Sequence, residues 1–250
     1  MRTVLSISFL LLLLLSPTSK AVLINAGDTA FLAGTTSAAN PDLDGTVILN
    51  NSASDVLFLL EPALFIAGSV RNRVVRSTNT GNLIFMPRFE NPVNVTASNF
   101  LIDSVEFFGF GDFMTDIDYR VDGLGDRGPN QATRSADGDL LSFDFLFPLV
   151  IGNLVGEPQE TSRFFSIETD ATDYSLDGRI LVHGRHPDFA SGTFTLSFDN
   201  IAVPTFSSVD GPSHIAIFLG LILLIYTLKK ERDEQAYYRQ QRGSLIDCGG

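Results

Sequence analysis

Leu141-Ser142-Phe143-Asp144-Phe145-Leu146-Phe147 decides the fold class. Phe143, Phe145 and Phe147 recur at every second residue, with Ser142 and Asp144 between them. Period two marks a strand with one apolar face, because successive side chains leave a pleated backbone on opposite sides. Working outward, Thr193-Phe194-Thr195-Leu196-Ser197-Phe198 and Asp116-Ile117-Asp118-Tyr119-Arg120-Val121 repeat the pattern. Looser versions occupy residues 46–49, 56–60, 64–76, 83–88, 101–108, 163–169 and 178–183. No stretch between residues 22 and 208 carries a convincing amphipathic helical stripe. These features predict an all-β domain, an antiparallel β-sandwich of jelly-roll or Ig-like type, with aromatic faces from two sheets packed about 10 Å apart. Most of the 21 Phe are expected in that core. A body of this size buries roughly 70% of its unfolded surface and needs no disulfide.

The two ends of the 250-residue chain differ from this body. Residues 1–21 read as an export signal: Met1-Arg2 supply a positive start, residues 4–15 are almost wholly apolar, and Ser16-Pro17 breaks the helix. Ser19 and Ala21 are small residues at the −3 and −1 positions, so cleavage is expected after Ala21. The apolar run is shorter than the ~20 residues of a membrane span, which disfavours an uncleaved anchor. A second uncharged block, residues 215–228, is followed at once by Lys229, Lys230 and Arg232. Basic residues are retained on the cytoplasmic side, so a transmembrane helix over 214–228 would leave the body outside and the polar tail, 233–250, inside. A helix of this length spans only about 21 Å against a hydrocarbon core of ~30 Å, which suits temporary retention.

Val209-Asp210-Gly211-Pro212-Ser213, the apolar block and the basic cluster together resemble the PEP-CTERM sorting signal of Gram-negative bacteria. In that family a Val-Pro-Glu-Pro-Ser-type motif precedes a short membrane helix and a few arginines. Val209, Pro212 and Ser213 match it, whereas Asp210 replaces the first Pro and Gly211 the Glu; the tail also runs on further than is usual in the family. Within the body, residues 68–76 with Gly81-Asn82-Leu83-Ile84-Phe85, residues 107–123, residues 160–172 and Phe198-Asp199-Asn200-Ile201 are similar to segments of PEP-CTERM proteins. The resemblance implies passage across the inner membrane, transient contact with an exosortase-type transpeptidase over residues 209–232, and delivery to the cell surface or extracellular polysaccharide. It supplies no catalytic residues. The competing topology is a permanently anchored protein whose domain, residues 22–208, stays periplasmic.

The formal net charge of −12 conceals a sharper asymmetry. All three lysines lie outside residues 22–210, where ten arginines face 25 acids for a net −15. Such a surface excludes nucleic-acid binding, which rests on Lys and Arg neutralising phosphates. The single cysteine, Cys248, excludes an intramolecular disulfide and a thiolate zinc cluster.

The best metal candidate is the Gly- and Asp-rich stretch 122–139. There Asp122, Asp126, Asp137 and Asp139 offer the hard oxygen ligands that Ca²⁺ prefers, with Asp112, Asp116 and Asp118 close in sequence. The plainer reading is a flexible loop. Asn40-Pro41-Asp42-Leu43-Asp44-Gly45 fits the first half of an EF-hand loop, but Asn51 stands where its bidentate Glu belongs. It reads instead as an acidic turn into a strand, with Gly45 supplying a positive φ. His183 and His186 are too sparse for a metal site, and no nucleophile elbow, zinc-protease motif or phosphate loop is present. The expectation is a structural or adhesive exported protein without catalytic activity, with a carbohydrate- or Ca²⁺-binding, lectin-like module as the alternative.

Overall fold

The computed structural model describes residues 21–53, 56–61, 64–94, 99–152, 159–185, 193–206, 222–230 and 232. Residues up to Phe206 and those from Ser207 form separate units. In chain order the first unit carries β1 (Val22–Leu23), β2 (Thr29–Phe31), a 3-10 turn (Pro41–Leu43), β3 (Gly45–Ser52), β4 (Val56–Glu61), β5 (Leu64–Ser77), β6 (Leu83–Phe85) and β7 (Arg88–Asn94). There follow β8 (Asn99–Phe108), β9 (Thr115–Tyr119), β10 (Gln131–Arg134), β11 (Leu140–Gly152), β12 (Phe165–Thr169), β13 (Asp173–Arg185) and β14 (Thr193–Thr205).

The strands build two antiparallel sheets. One runs β1-β9-β12-β6-β5-β3, with β4 and β7 also paired to the long β5; the other runs β14-β13-β8-β11-β10-β2. The all-β expectation is met, and each run read from sequence lies mostly in strand, with Arg120-Val121, Met86-Pro87 and Arg163-Phe164 outside. Phe rings join the two sheets across a shared core. Phe165 of β12 meets Phe107 of β8 at 5.1 Å and Phe143 of β11 at 5.0 Å, while Phe89 of β7 meets Phe198 of β14 at 6.1 Å. Edge-to-face and tilted pairs of this kind place the positive ring edge against the negative ring face.

The decisive stretch departs from strict alternation at one point. Leu141, Phe143 and Phe145 are buried, but Phe147 is 67% exposed. A register shift between Asp144 and Leu149 interrupts the β11–β8 ladder, and Leu149 takes the inward position instead. From Asp144 to Leu149 β11 advances five residues while β8 advances two, so residues 146–148 leave the ladder and the inward alternation resumes at Leu149. The three Phe therefore do not share one face.

Two glycines answer to backbone crowding. Gly45 does not have a positive φ, contrary to expectation. It is small because a Cβ there would lie 2.1 Å from the Arg76 carbonyl oxygen on the paired β5. Gly125 combines φ +113° with a Cβ position 2.1 Å from the Ser162 carbonyl oxygen. Gly125→Ala is therefore expected to cost about 1–3 kcal/mol, as strained positions do. Chemical denaturation would measure it, and an unchanged midpoint would contradict the close approach of the two segments.

In the second unit, residues 222–230 and 232 are helical and exposed, and they include Lys229, Lys230 and Arg232. Among the described residues no helix is long and apolar enough to cross a membrane. Residues 214–221 of the expected transmembrane helix lie outside the described residues, and its described part, 222–228, is helical. The export signal before Ala21, the motif residues Val209, Pro212 and Ser213, and the tail 233–250 lie outside the described residues.

Candidate functional site

In β9 and β12 the core takes Ile117, Phe165 and Ile167, so the intervening Asp116, Asp118, Ser166 and Glu168 point the other way. Register sets Ser166 opposite Asp118 and Glu168 opposite Asp116. Sequence alternation assigns such residues to solvent, yet Asp118 is only 1% exposed and Ser166 is fully buried. The reason is a strap, residues 34–44, laid over this outer face. The Gly34 N–H donates to Asp118 Oδ1 at 2.9 Å, and Asn40 Nδ2 donates to Glu168 Oε1 at 2.7 Å. Leu43 in the 3-10 turn completes a second small core with Val75, Ile84, Met86 and Phe164.

The covered acids crowd one another around an opening of about 150 Å³ lined by Asp42, Asp116, Glu168 and Asp170. Asp116 Oδ1, Asp118 Oδ2 and Ser166 Oγ have no hydrogen-bond partner among the described residues. Nor is any group of three or more His, Cys, Asp or Glu arranged there to hold a metal ion, again among the described residues. Burial, then the negative charges of Asp116 and Asp42, push the Glu168 carboxyl up to about 7, against the opposing hydrogen bond from Asn40. Burial likewise raises Asp118 and Asp116.

The sign of the pH effect follows. Between roughly 4.5, the ordinary Glu value, and 7, the folded chain keeps a proton that the unfolded chain releases. Stability therefore falls as pH rises through that window, and the loss is complete above it. The effect is on the order of 2 kcal/mol once solvent screening is allowed for. Glu168→Gln is expected to flatten the profile and to raise the melting temperature above pH 7. Thermal melts of both proteins at pH 5 and pH 8 test this; parallel profiles would exclude Glu168 as the source.

Beside the strap lies a larger recess of about 460 Å³, lined among others by Asn50, Arg71, Arg73, Glu90, Arg120 and Asp122. Alternation along β5 puts Arg71 and Arg73 on the same outer face, since Val70, Asn72 and Val74 are buried. Arg71 pairs with Glu90, its Nη2 2.7 Å from Oε2. Arg120 grips Asp122 with two bonds, Nε to Oδ1 at 2.6 Å and Nη2 to Oδ2 at 2.9 Å. The Ser37 backbone N–H and hydroxyl also donate to Asp122 Oδ2, tying the strap to the recess. The Arg120 guanidinium, with the Ser37 bonds, holds the Asp122 carboxyl well below the usual carboxylate range. Arg73 differs from both neighbours. Its guanidinium lies 5.2 Å from the Phe164 ring centre, and its Nε has no hydrogen-bond partner among the described residues. Burial, then the positive charges of Arg120 and Arg71, lower its pKa.

The acids expected to form a calcium loop are not brought together as one ligand set. Asp122 is held by Arg120 and Ser37. Asp126 Oδ2 accepts from the Thr161 backbone N–H at 2.8 Å and its hydroxyl at 3.0 Å. Asp137 accepts from Ser135 Oγ and, at 3.2 Å, from the backbone N–H of Asp139. Nor is 122–139 a single loop, because β10 divides it. That strand was illegible: in Gln131-Ala132-Thr133-Arg134 only Ala132 is apolar, and the other inward residue is the buried Arg134. The EF-hand-like segment is the turn of the strap, with Asn40 Oδ1 accepting from the Asp42 N–H. His183 pairs across β14 with Thr195 at 3.0 Å and lies 3.2 Å from Glu106, while His186 is outside the described residues. The arginine recess escaped sequence reading, although Arg71-Asn72-Arg73 in a period-two segment was a usable signal. Compared with known proteins, the chain matches no family model, no curated protein and no solved structure.

Proposed function

We propose that this chain is an exported β-sandwich protein of the bacterial surface or extracellular matrix, with a structural or adhesive role and no catalytic one. In this reading residues 1–21 are removed after Ala21. The segment 209–232 then acts as a PEP-CTERM-like sorting signal handled by an exosortase-type transpeptidase at the inner membrane. The observation that carries a structural role is the use of the charged side chains. Arg127 with Glu160, Arg88 with Thr161 and the Ser162 carbonyl, and Arg120 with Asp122 and Ser37 fasten segments distant in sequence to one another. A lysine-free surface at net −15 adds solubility outside the cell.

Mass spectrometry of the mature protein tests the sorting half of this proposal. The expected product ends near residues 209–213 and lacks Tyr237, Tyr238 and Cys248. Recovery of those three residues on the cell-bound protein would instead establish the anchored periplasmic form.

The second reading, a lectin-like module, is favoured by the arginine recess. Its volume and mixture of cationic, amide and carboxylate groups suit a ligand better than the strap-covered acids do. The volume falls within the ~300–1,000 Å³ of small-molecule sites.

A further inference from the structure

We infer that the recess around Arg73 is a binding site for a hydroxylated carboxylate of the sugar-acid class, with Arg73 as the group that receives the carboxylate. The inference rests on the recess alone and does not depend on export or sorting. Three guanidiniums, Arg71, Arg73 and Arg120, line the recess with two carboxylates, Glu90 and Asp122, which leaves a local charge of +1 in a chain of net −12. Two of the three cations are matched by partners: Arg71 by Glu90 and Arg120 by Asp122. Arg73 sits between like charges and makes no ion pair or side-chain hydrogen bond among the described residues, only its contact with the Phe164 ring. A buried donor without an acceptor is costly, and a guanidinium without a counter-charge more so. An arriving oxyanion removes both penalties at once.

The shape of the donor selects among anions. A guanidinium is a planar fork that meets a planar carboxylate with two parallel N–H···O bonds. The rest of the lining suits hydroxyl groups. Glu90 keeps an acceptor site beyond its bonds to Arg71 and Arg88, and Asn50 adds an amide that both donates and accepts, whereas Asp122 is already taken up by Arg120 and Ser37. A ligand bearing one carboxylate and several hydroxyls uses Arg73, Glu90 and Asn50 together, whereas an inorganic anion uses only the cations. A polyanion is disfavoured by the two lining carboxylates and by the net charge of the chain.

Isothermal calorimetry on the full-length chain in detergent, titrated with the monomeric uronates galacturonate and glucuronate, tests the site. Galactose, glucose and sodium sulfate are the controls. Saturable binding of the uronates, weakened at least tenfold in Arg73→Gln and only partly in Arg73→Lys, is the expected result. Asn50→Asp, an exposed change on β3 that leaves Arg73 in place, adds a negative charge at the rim and is expected to weaken uronate binding as well. Thermal melts confirm that each variant is folded. No uronate binding at millimolar concentration, equal binding of the neutral sugars, or sulfate binding as tightly as uronate would overturn the assignment. So would undiminished uronate affinity in folded Arg73→Gln or Asn50→Asp. A negative result here leaves the sorting proposal standing, since that is read from the mature C-terminus.

Discussion

Phe165→Ala is expected to lower the unfolding free energy by about 3–5 kcal/mol, the range for emptying a buried aromatic site. The ring is 0% exposed on β12 and is the hub at which the sheets meet. It contacts Phe89 from its own sheet and Phe107, Phe143 and Phe145 from the other, with ring centres 5.0–6.3 Å apart. Removing it forfeits apolar transfer energy and leaves a cavity that four large, mutually wedged rings cannot close. Phe147→Ala is the internal comparison, because the bulge in β11 turns that ring outward; a change within about 0.5 kcal/mol is expected. Urea unfolding of both variants reads the difference. Equal losses would mean that β11 keeps strict alternation and that its bulge is wrong.

Arg134→Ala should be nearly as damaging, by about 3–5 kcal/mol, for an electrostatic reason. Arg134 ends β10 and is 6% exposed. Its guanidinium donates to the carbonyl oxygens of Ile24, Phe110, Phe113 and Gly138 and to Thr115 Oγ1, over 2.7–3.1 Å. One side chain thus ties the chain after β1, the turn after β8, β9 and the β10–β11 turn. Burial lowers its pKa, and the charge of Asp170 opposes that shift. Truncation removes all five hydrogen bonds, whereas Arg134→Lys keeps the charge but offers three donors, so an intermediate loss is expected. Hydrogen exchange should localise the damage to the backbone amides of Ile24 and Gly138, which lie in the two segments that Arg134 joins. A midpoint like that of the unaltered protein would contradict this bracing role.

Both predictions concern residues that the sequence presents in opposite ways. Phe165 stands in a run legible as a strand, and its burial follows from period two. Arg134 follows a stretch of Gly, Asp and Asn and carries a charge, so its segment reads as loop. Its burial depends on carbonyl oxygens contributed from residues 24, 110, 113 and 138, whose convergence is a property of the folded chain. The candidate sites divide likewise. Asp116 and Asp118 were correctly expected opposite the core, but only the strap from Gly34 to Asp44 makes that side an interior. The proposed ligand site draws on β5, on Arg120 next to β9 and on Asp122. No local pattern links these positions.

What the sequence determined by itself was the all-β class, because alternating burial is a local consequence of the pleat and recurs in β10, the first half of β11 and long parts of β13 and β14. It also determined the charge asymmetry and the distinct character of the two ends, which are matters of composition along the chain. The tertiary structure alone decided which polar residues became functional candidates. A carboxylate is held by protein or crowded by its own kind, and an arginine is paired or left to face a recess, according to which distant segments fold over it. That is why the Asp-rich stretch 122–139, conspicuous in sequence, is divided among separate partners, while Arg73, inconspicuous in sequence, stands among like charges at the recess.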